Sequence, residues 1–121
     1  MKINSFEEIV AWQRALELTK VLYFHFDSSR DFGFRDQILR ASVSIMNNIA
    51  EGFERRTDKE FRSFLYVSKG SAGEVRSMII LARELGKIND ELFSKSMELV
   101  YEISRKISAL IKTLGQNKPP Y

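Results

Sequence analysis

The sequence has only two prolines, Pro119 and Pro120, and both fall within its last three residues. Proline removes a backbone donor and clashes with the preceding helical turn, so nothing upstream of residue 119 is barred from helix on that ground. The apolar residues recur at steps of three and four in four blocks, the spacing that lines one face of an α-helix. The first steps through Ile9, Trp12, Leu16, Thr19, Tyr23 and Phe26, and the second through Ile38, Ala41, Ile45, Ile49 and Gly52. The third includes Phe61, Leu65, Ser68, Ala72, Val75, Ile79 and Ala82, and the fourth Leu92, Ser96, Leu99, Ile103, Ile107, Leu110 and Leu114. No alternating run between turn signals argues for a strand.

Local signals set the boundaries. Ser5 with Glu8 and Thr57 with Glu60 have the spacing of capping boxes, Asn89-Asp90 supplies capping side chains, and Gly86 is a natural stop. The polar run from Asp27 to Gly33 has turn chemistry. The spacing predicts helices over residues 6–26, 34–54, 58–86 and 90–114, with 115–121 as a flexible tail. Four amphipathic helices on short connections predict an all-α fold, an antiparallel up-down-up-down four-helix bundle, and 121 residues make one domain of it. The third helix, about 43 Å at 1.5 Å per residue, is expected to overhang its neighbours or to kink near Gly70 and Gly73.

Composition excludes several functions. With no cysteine there is no disulfide framework, thiolate-held metal or thiol nucleophile. No apolar run approaches the roughly 18 residues of a membrane span, and the first ten residues lack a signal-peptide core, so a soluble cytoplasmic protein is expected. The single histidine, His25, sits in the run Tyr23-Phe24-His25-Phe26 and is not preceded by the Glu-x-x spacing of di-metal bundles. Nothing marks a pocket around Glu51 and Glu74 as an acid–base pair. The expectation is no metal, no cofactor and no catalytic residue.

The second helix carries a polar stripe. Gln37, Arg40, Ser44, Asn48 and Glu51 step by three and four, about 100° around from the apolar stripe. Amides, a hydroxyl and single opposite charges suit hydrogen bonding to another helix or subunit, or else to a ligand or nucleic acid, better than plain solvation. On the third helix, Glu74 is expected to pair with Arg40 or with an amide of the stripe. Gly70 and Gly73 each cost about 0.8–1.0 kcal/mol against alanine inside a helix. Close approach to the small residues Ala41, Ser42, Ala50 and Gly52 of the second helix would offset that cost. Phe24 and Phe53 lie off the main apolar stripes, which favours an oligomer interface.

Several of these segments together resemble one family. They are Phe6 to Ala15, Phe32-Gly33-Phe34 through Gln37-Ile38 and Arg40-Ala41, Ser44-Ile45-Met46-Asn47-Asn48-Ile49-Ala50-Glu51-Gly52, and Gly70-Ser71 with Glu74. In order and spacing, over roughly residues 6–114, they are similar to the 23S rRNA intervening-sequence protein family. The resemblance implies a left-handed four-helix bundle and a ring-like homopentamer with no established catalytic role. It also implies kinship with accessory proteins of diversity-generating retroelements, basic pentamers that bind a reverse transcriptase and nucleic acid. The family's characteristic polar residues fall here on Gln37, Arg40, Ser44, Asn48, Glu51, Ser71 and Glu74. Met46 and Asp27-Ser28-Ser29 stand where the family often has proline.

Charge refines the nucleic-acid expectation. The formal net charge is +3, and residues 103–121 hold Arg105, Lys106, Lys112 and Lys118 with no acidic side chain. The basic excess thus belongs to the end of the fourth helix and the tail. Two functional expectations follow. One is a non-enzymatic, homo-oligomeric interaction module. The other is a nucleic-acid-binding accessory protein that uses those four cations on RNA or DNA.

Overall fold

A computed structural model describes residues 2–115. After a single 3₁₀ turn at Phe6–Glu8 come α1 (Val10–Phe26), α2 (Phe32–Phe53), α3 (Asp58–Glu84) and α4 (Asp90–Gly115). Among the described residues there is no strand, and no helix is long and apolar enough to cross a membrane. The expected tail at 116–121, with Lys118, lies outside the described residues.

Capping chemistry places most of the ends. Thr57 accepts from the Glu60 backbone N–H at 3.1 Å to open α3, and Asn89 accepts from Leu92 at 2.8 Å to open α4. Gly86 has φ +73°, a conformation glycine adopts without a Cβ clash. The Lys87 and Gly86 amides then donate back to the carbonyls of Ala82 and Arg83, closing α3 in a Schellman turn. The Ser5–Glu8 box does not form. Ser5 makes no side-chain cap, Ile9 precedes α1 in extended conformation, and residues 6–8 coil into the 3₁₀ turn instead. Packing sets that entry: Phe6 stacks edge-on against Trp12 at 5.1 Å, and Gln13 donates to the Glu7 carbonyl at 2.8 Å.

α2 starts at Phe32, two residues ahead of the expected boundary, because Asp31 caps it by accepting from the Phe34 amide. The same carboxylate pairs with Lys87 at 2.8 Å, tying the α1–α2 turn to the α3–α4 turn. The Lys87 bond first, then the Phe34 amide, hold the Asp31 carboxyl below its ordinary pKa. A depressed folded-state pKa contributes stability that is present above the unfolded value and lost as pH falls through the folded one. Urea unfolding of wild type and Asp31→Asn should therefore differ most at neutral pH and converge below the carboxylate range.

Each helix packs on two neighbours: α1 and α3 both contact α2 and α4 but not each other. α1 and α3 are thus diagonal and run in the same direction, as the antiparallel up-down-up-down bundle requires. Leu18, Leu22, Ile38, Ile45, Ile49, Leu65, Ile79, Ile103 and Ile107 are almost fully buried at the centre. Hydroxyls join the helices inside it: Ser68 donates to the Ile45 carbonyl at 2.7 Å, and Thr19 lies 3.2 Å from that of Ser42. Only Ser96 Oγ, among the described buried side-chain polar atoms, lacks a partner.

Two expectations about α3 need correction. The helix is unbroken through Gly70 and Gly73, and while α2 is shorter at 22 residues, α4, at 26 against 27, matches α3 in length. Nor do Gly70 and Gly73 pack against α2, since a Cβ at either would meet nothing within 4 Å. Gly52 does mark a close approach, with different partners: a Cβ there would lie 2.7 Å from Phe64 Cβ and 2.9 Å from Phe61 Cδ1. Ala41 is buried in the core.

Candidate functional site

The polar stripe of α2 runs along the groove it forms with α3. Ser44 and Ser71 share a hydrogen bond of 2.8 Å across it, and Asn48 donates from Nδ2 to both the carbonyl and the hydroxyl of Ser44. Gln37 Nε2 donates to Glu74 Oε2 at 3.2 Å. Glu51 turns away and pairs with Arg55, one turn on, at 2.9 Å. Glu74 is therefore taken by the amide of Gln37, and Arg40 is exposed with no partner among the described residues. Glu51 and Glu74, each occupied separately, form no carboxylate pair.

Gln37, Arg40, Ser44, Ser71 and Glu74 line an open groove of about 510 Å³, together with Gly33, Asp36 and Ala41. Gly33 was missed because it closes a run that reads as a turn, and Asp36 because it stands one residue off the polar stripe. The stripe itself signals the first: stepping back four residues from Gln37 lands on Gly33. Among the described residues, no three His, Asp or Glu side chains gather where they could hold a metal ion.

Unpartnered apolar side chains lie elsewhere. Phe24 is 94% exposed, at the rim of a concavity of about 430 Å³ with Lys20, Val21, His25 and Leu92. His25 is pinned beside it, its Nε2 at 2.8 Å from the Lys87 carbonyl, which requires that nitrogen to carry the proton. Phe53, by contrast, is half-buried and packs edge-on against Phe61. On α3, Tyr66, Val67, Ile80 and Leu81 are all exposed, as is Leu85 just past its end, a face the apolar core pattern did not single out. The basic end of α4 is dispersed: Arg105, Lys106 and Lys112 are exposed, and Lys106 shares an apolar concavity with Glu8, Ile3 and Ala109.

These features define a small antiparallel four-helix-bundle protein with a hydrogen-bonded polar groove and unpartnered apolar surface on two of its helices. The family model for the 23S rRNA-intervening sequence protein matches residues 7–109, and the chain belongs to that family. Its fold is similar to a 1.70 Å crystal structure of a protein of unknown function from the S23 ribosomal protein family of Bacteroides thetaiotaomicron. The two are 23% identical, with a TM-score of 0.77, over 85% of this chain and 96% of that one. No curated protein matches the chain.

Proposed function

We propose that the protein is a non-enzymatic interaction module that assembles with copies of itself. The observation that carries this reading is the apolar surface left in water by a subunit whose core is otherwise well closed. Phe24 stands almost free of its own chain, and Tyr66, Val67, Ile80 and Leu81 lie exposed on α3. Covering such patches removes apolar area from water, the main driving force of subunit association. The groove hydrogen bonds at Ser44, Ser71, Asn48, Gln37 and Glu74 fix how α2 and α3 lie together, and so support the face that a copy would meet. Light scattering of the full chain at micromolar concentration should give a mass several times 14.1 kDa. The homopentamer suggested by the family resemblance would give about 70 kDa, five times that mass. A single-chain mass would overturn the proposal.

A second reading, RNA or DNA binding, draws on one end of the bundle. The antiparallel order brings the C-terminal end of α4, with Arg105, Lys106 and Lys112, to the same end as Arg56, Lys59 and Arg62. Binding through these groups would weaken steeply with salt, because phosphate neutralisation releases counterions. Binding unchanged by salt, or by Lys106→Glu with Lys112→Glu, would rule it out.

A further inference from the structure

We infer that the outer face of α1 on one copy docks, parallel and in register, on the outer face of α3 on the next. This rests on the self-assembly proposed above and adds to it the two surfaces that meet. On α1 the exposed positions step Val10, Gln13, Glu17, Lys20, Phe24; on α3 they step Ser63, Tyr66, Gly70, Gly73, Ser77. Both sets advance by three, four, three and four, the rhythm of a helix-packing seam.

The two sets also stand at matching heights in the bundle. Thr19 lies beside Ser42 and Phe26 beside Phe34, which levels α1 with α2. Ser44 lies beside Ser71 and Ser68 reaches Ile45, which levels α2 with α3. Chaining these contacts puts Glu17 level with about residue 70, Lys20 with about 73 and Phe24 with about 77, rising at 1.5 Å per residue. Copies related by rotation about an axis parallel to the helices meet at equal heights, so these residues would face one another.

At those heights, size and charge match. Glu17, Lys20 and Phe24 fall opposite the small residues Gly70, Gly73 and Ser77. Gly70 and Gly73 have open space before them, room for a second helix to come close. Glu17, which also meets Arg14 of its own chain at 3.4 Å, arrives beside Lys69, and Lys20 beside Glu74, whose Oε2 also accepts from Gln37; among the described residues neither lysine has a hydrogen-bond or ion-pair partner. Phe24 arrives at Ser77, with the exposed Ile80 and Leu81 beyond it. Because α1 and α3 are diagonal, one copy offers its α1 face to one neighbour and its α3 face to another. The contact is heterologous and links copies head to tail.

Two variants test this, each placed where it has space within its own subunit: Phe24→Glu on the α1 face, and Gly70→Glu on the α3 face, opposite Glu17. Circular dichroism of each should show the wild-type helix content. Each alone should fall to the single-chain mass by sedimentation at high micromolar concentration. Mixed in equal amounts they should form a two-chain particle, because each supplies the face the other lacks. Phe24→Glu retaining the wild-type mass would overturn the pairing, as expected if two α3 faces met instead. So would a mixture that stays single-chain. A wild type that is itself a single chain would instead overturn the self-assembly reading on which this one stands.

Discussion

Replacing Leu65 by alanine is expected to lower the free energy of unfolding by about 2–5 kcal/mol. The side chain is fully buried, on a helix that contacts both α2 and α4, so its loss opens a cavity between three helices. Collapse into that cavity is restricted at the α2–α3 boundary, where Ser68, one turn on, is bonded to the Ile45 carbonyl at 2.7 Å. The cost is large against the roughly 5–15 kcal/mol of a typical domain. The urea midpoint should fall with little change in slope. A loss below about 1 kcal/mol would mean that α3 does not pack as described.

Gly52→Val is the second large effect, and its mechanism is the opposite one. The added Cβ would meet Phe64 Cβ at 2.7 Å and the Phe61 ring at 2.9 Å, with the Phe61 carbonyl at 3.3 Å. A ring edge can swing aside, but Phe64 Cβ is fixed to its backbone, so α2 and α3 must separate at this crossing. Overpacking of this kind costs about 1–3 kcal/mol or more. The gain from removing a helical glycine, up to about 1 kcal/mol, opposes it. Thermal unfolding should show a lower midpoint for Gly52→Val, with Gly52→Ala between it and wild type. A Gly52→Ala variant more stable than wild type would contradict the close approach.

Periodicity made the four helices legible, and turn chemistry fixed most ends to within two residues. Thr57, Gly86 and Asn89 could be read directly because capping depends on a few neighbouring residues. Ser5 and Glu8 have the same pattern and fail: residues 6–8 coil into a 3₁₀ turn in which Phe6 packs on Trp12, a contact between residues outside the capping pattern. The glycines of α3 were misplaced for a reason visible in the numbering. Ser68, Ala72 and Val75 mark the core face, and Gly70 is two residues from both Ser68 and Ala72, about 200° around the helix from each. Position therefore put Gly70 outward, whereas its small size suggested burial.

The polar groove was only partly legible. The stripe on α2 follows from spacing, as does the presence of Glu74 across from it. Which stripe residue Glu74 bonds depends on the relative rotation and register of two helices, and it is Gln37 rather than Arg40. The exposed seam of α3 was hidden for another reason. Its residues Tyr66, Gly70, Gly73, Ser77 and Ile80 repeat at the same interval as the core, and the larger apolar stripe draws the reading first.

The chain has no cysteine of its own, which permits a direct test of the docked arrangement. Lys20→Cys and Gly73→Cys, introduced together, sit on diagonal helices of one subunit and fall opposite each other between copies. A disulfide needs Cα atoms within about 7 Å, so it would join them only across the proposed contact. Mild oxidation of the assembled protein should give a ladder of linked chains on a non-reducing gel, while either single variant alone gives none. A doubly substituted chain that assembles yet stays unlinked, or a Gly73→Cys variant that links to itself, would contradict the α1-on-α3 contact.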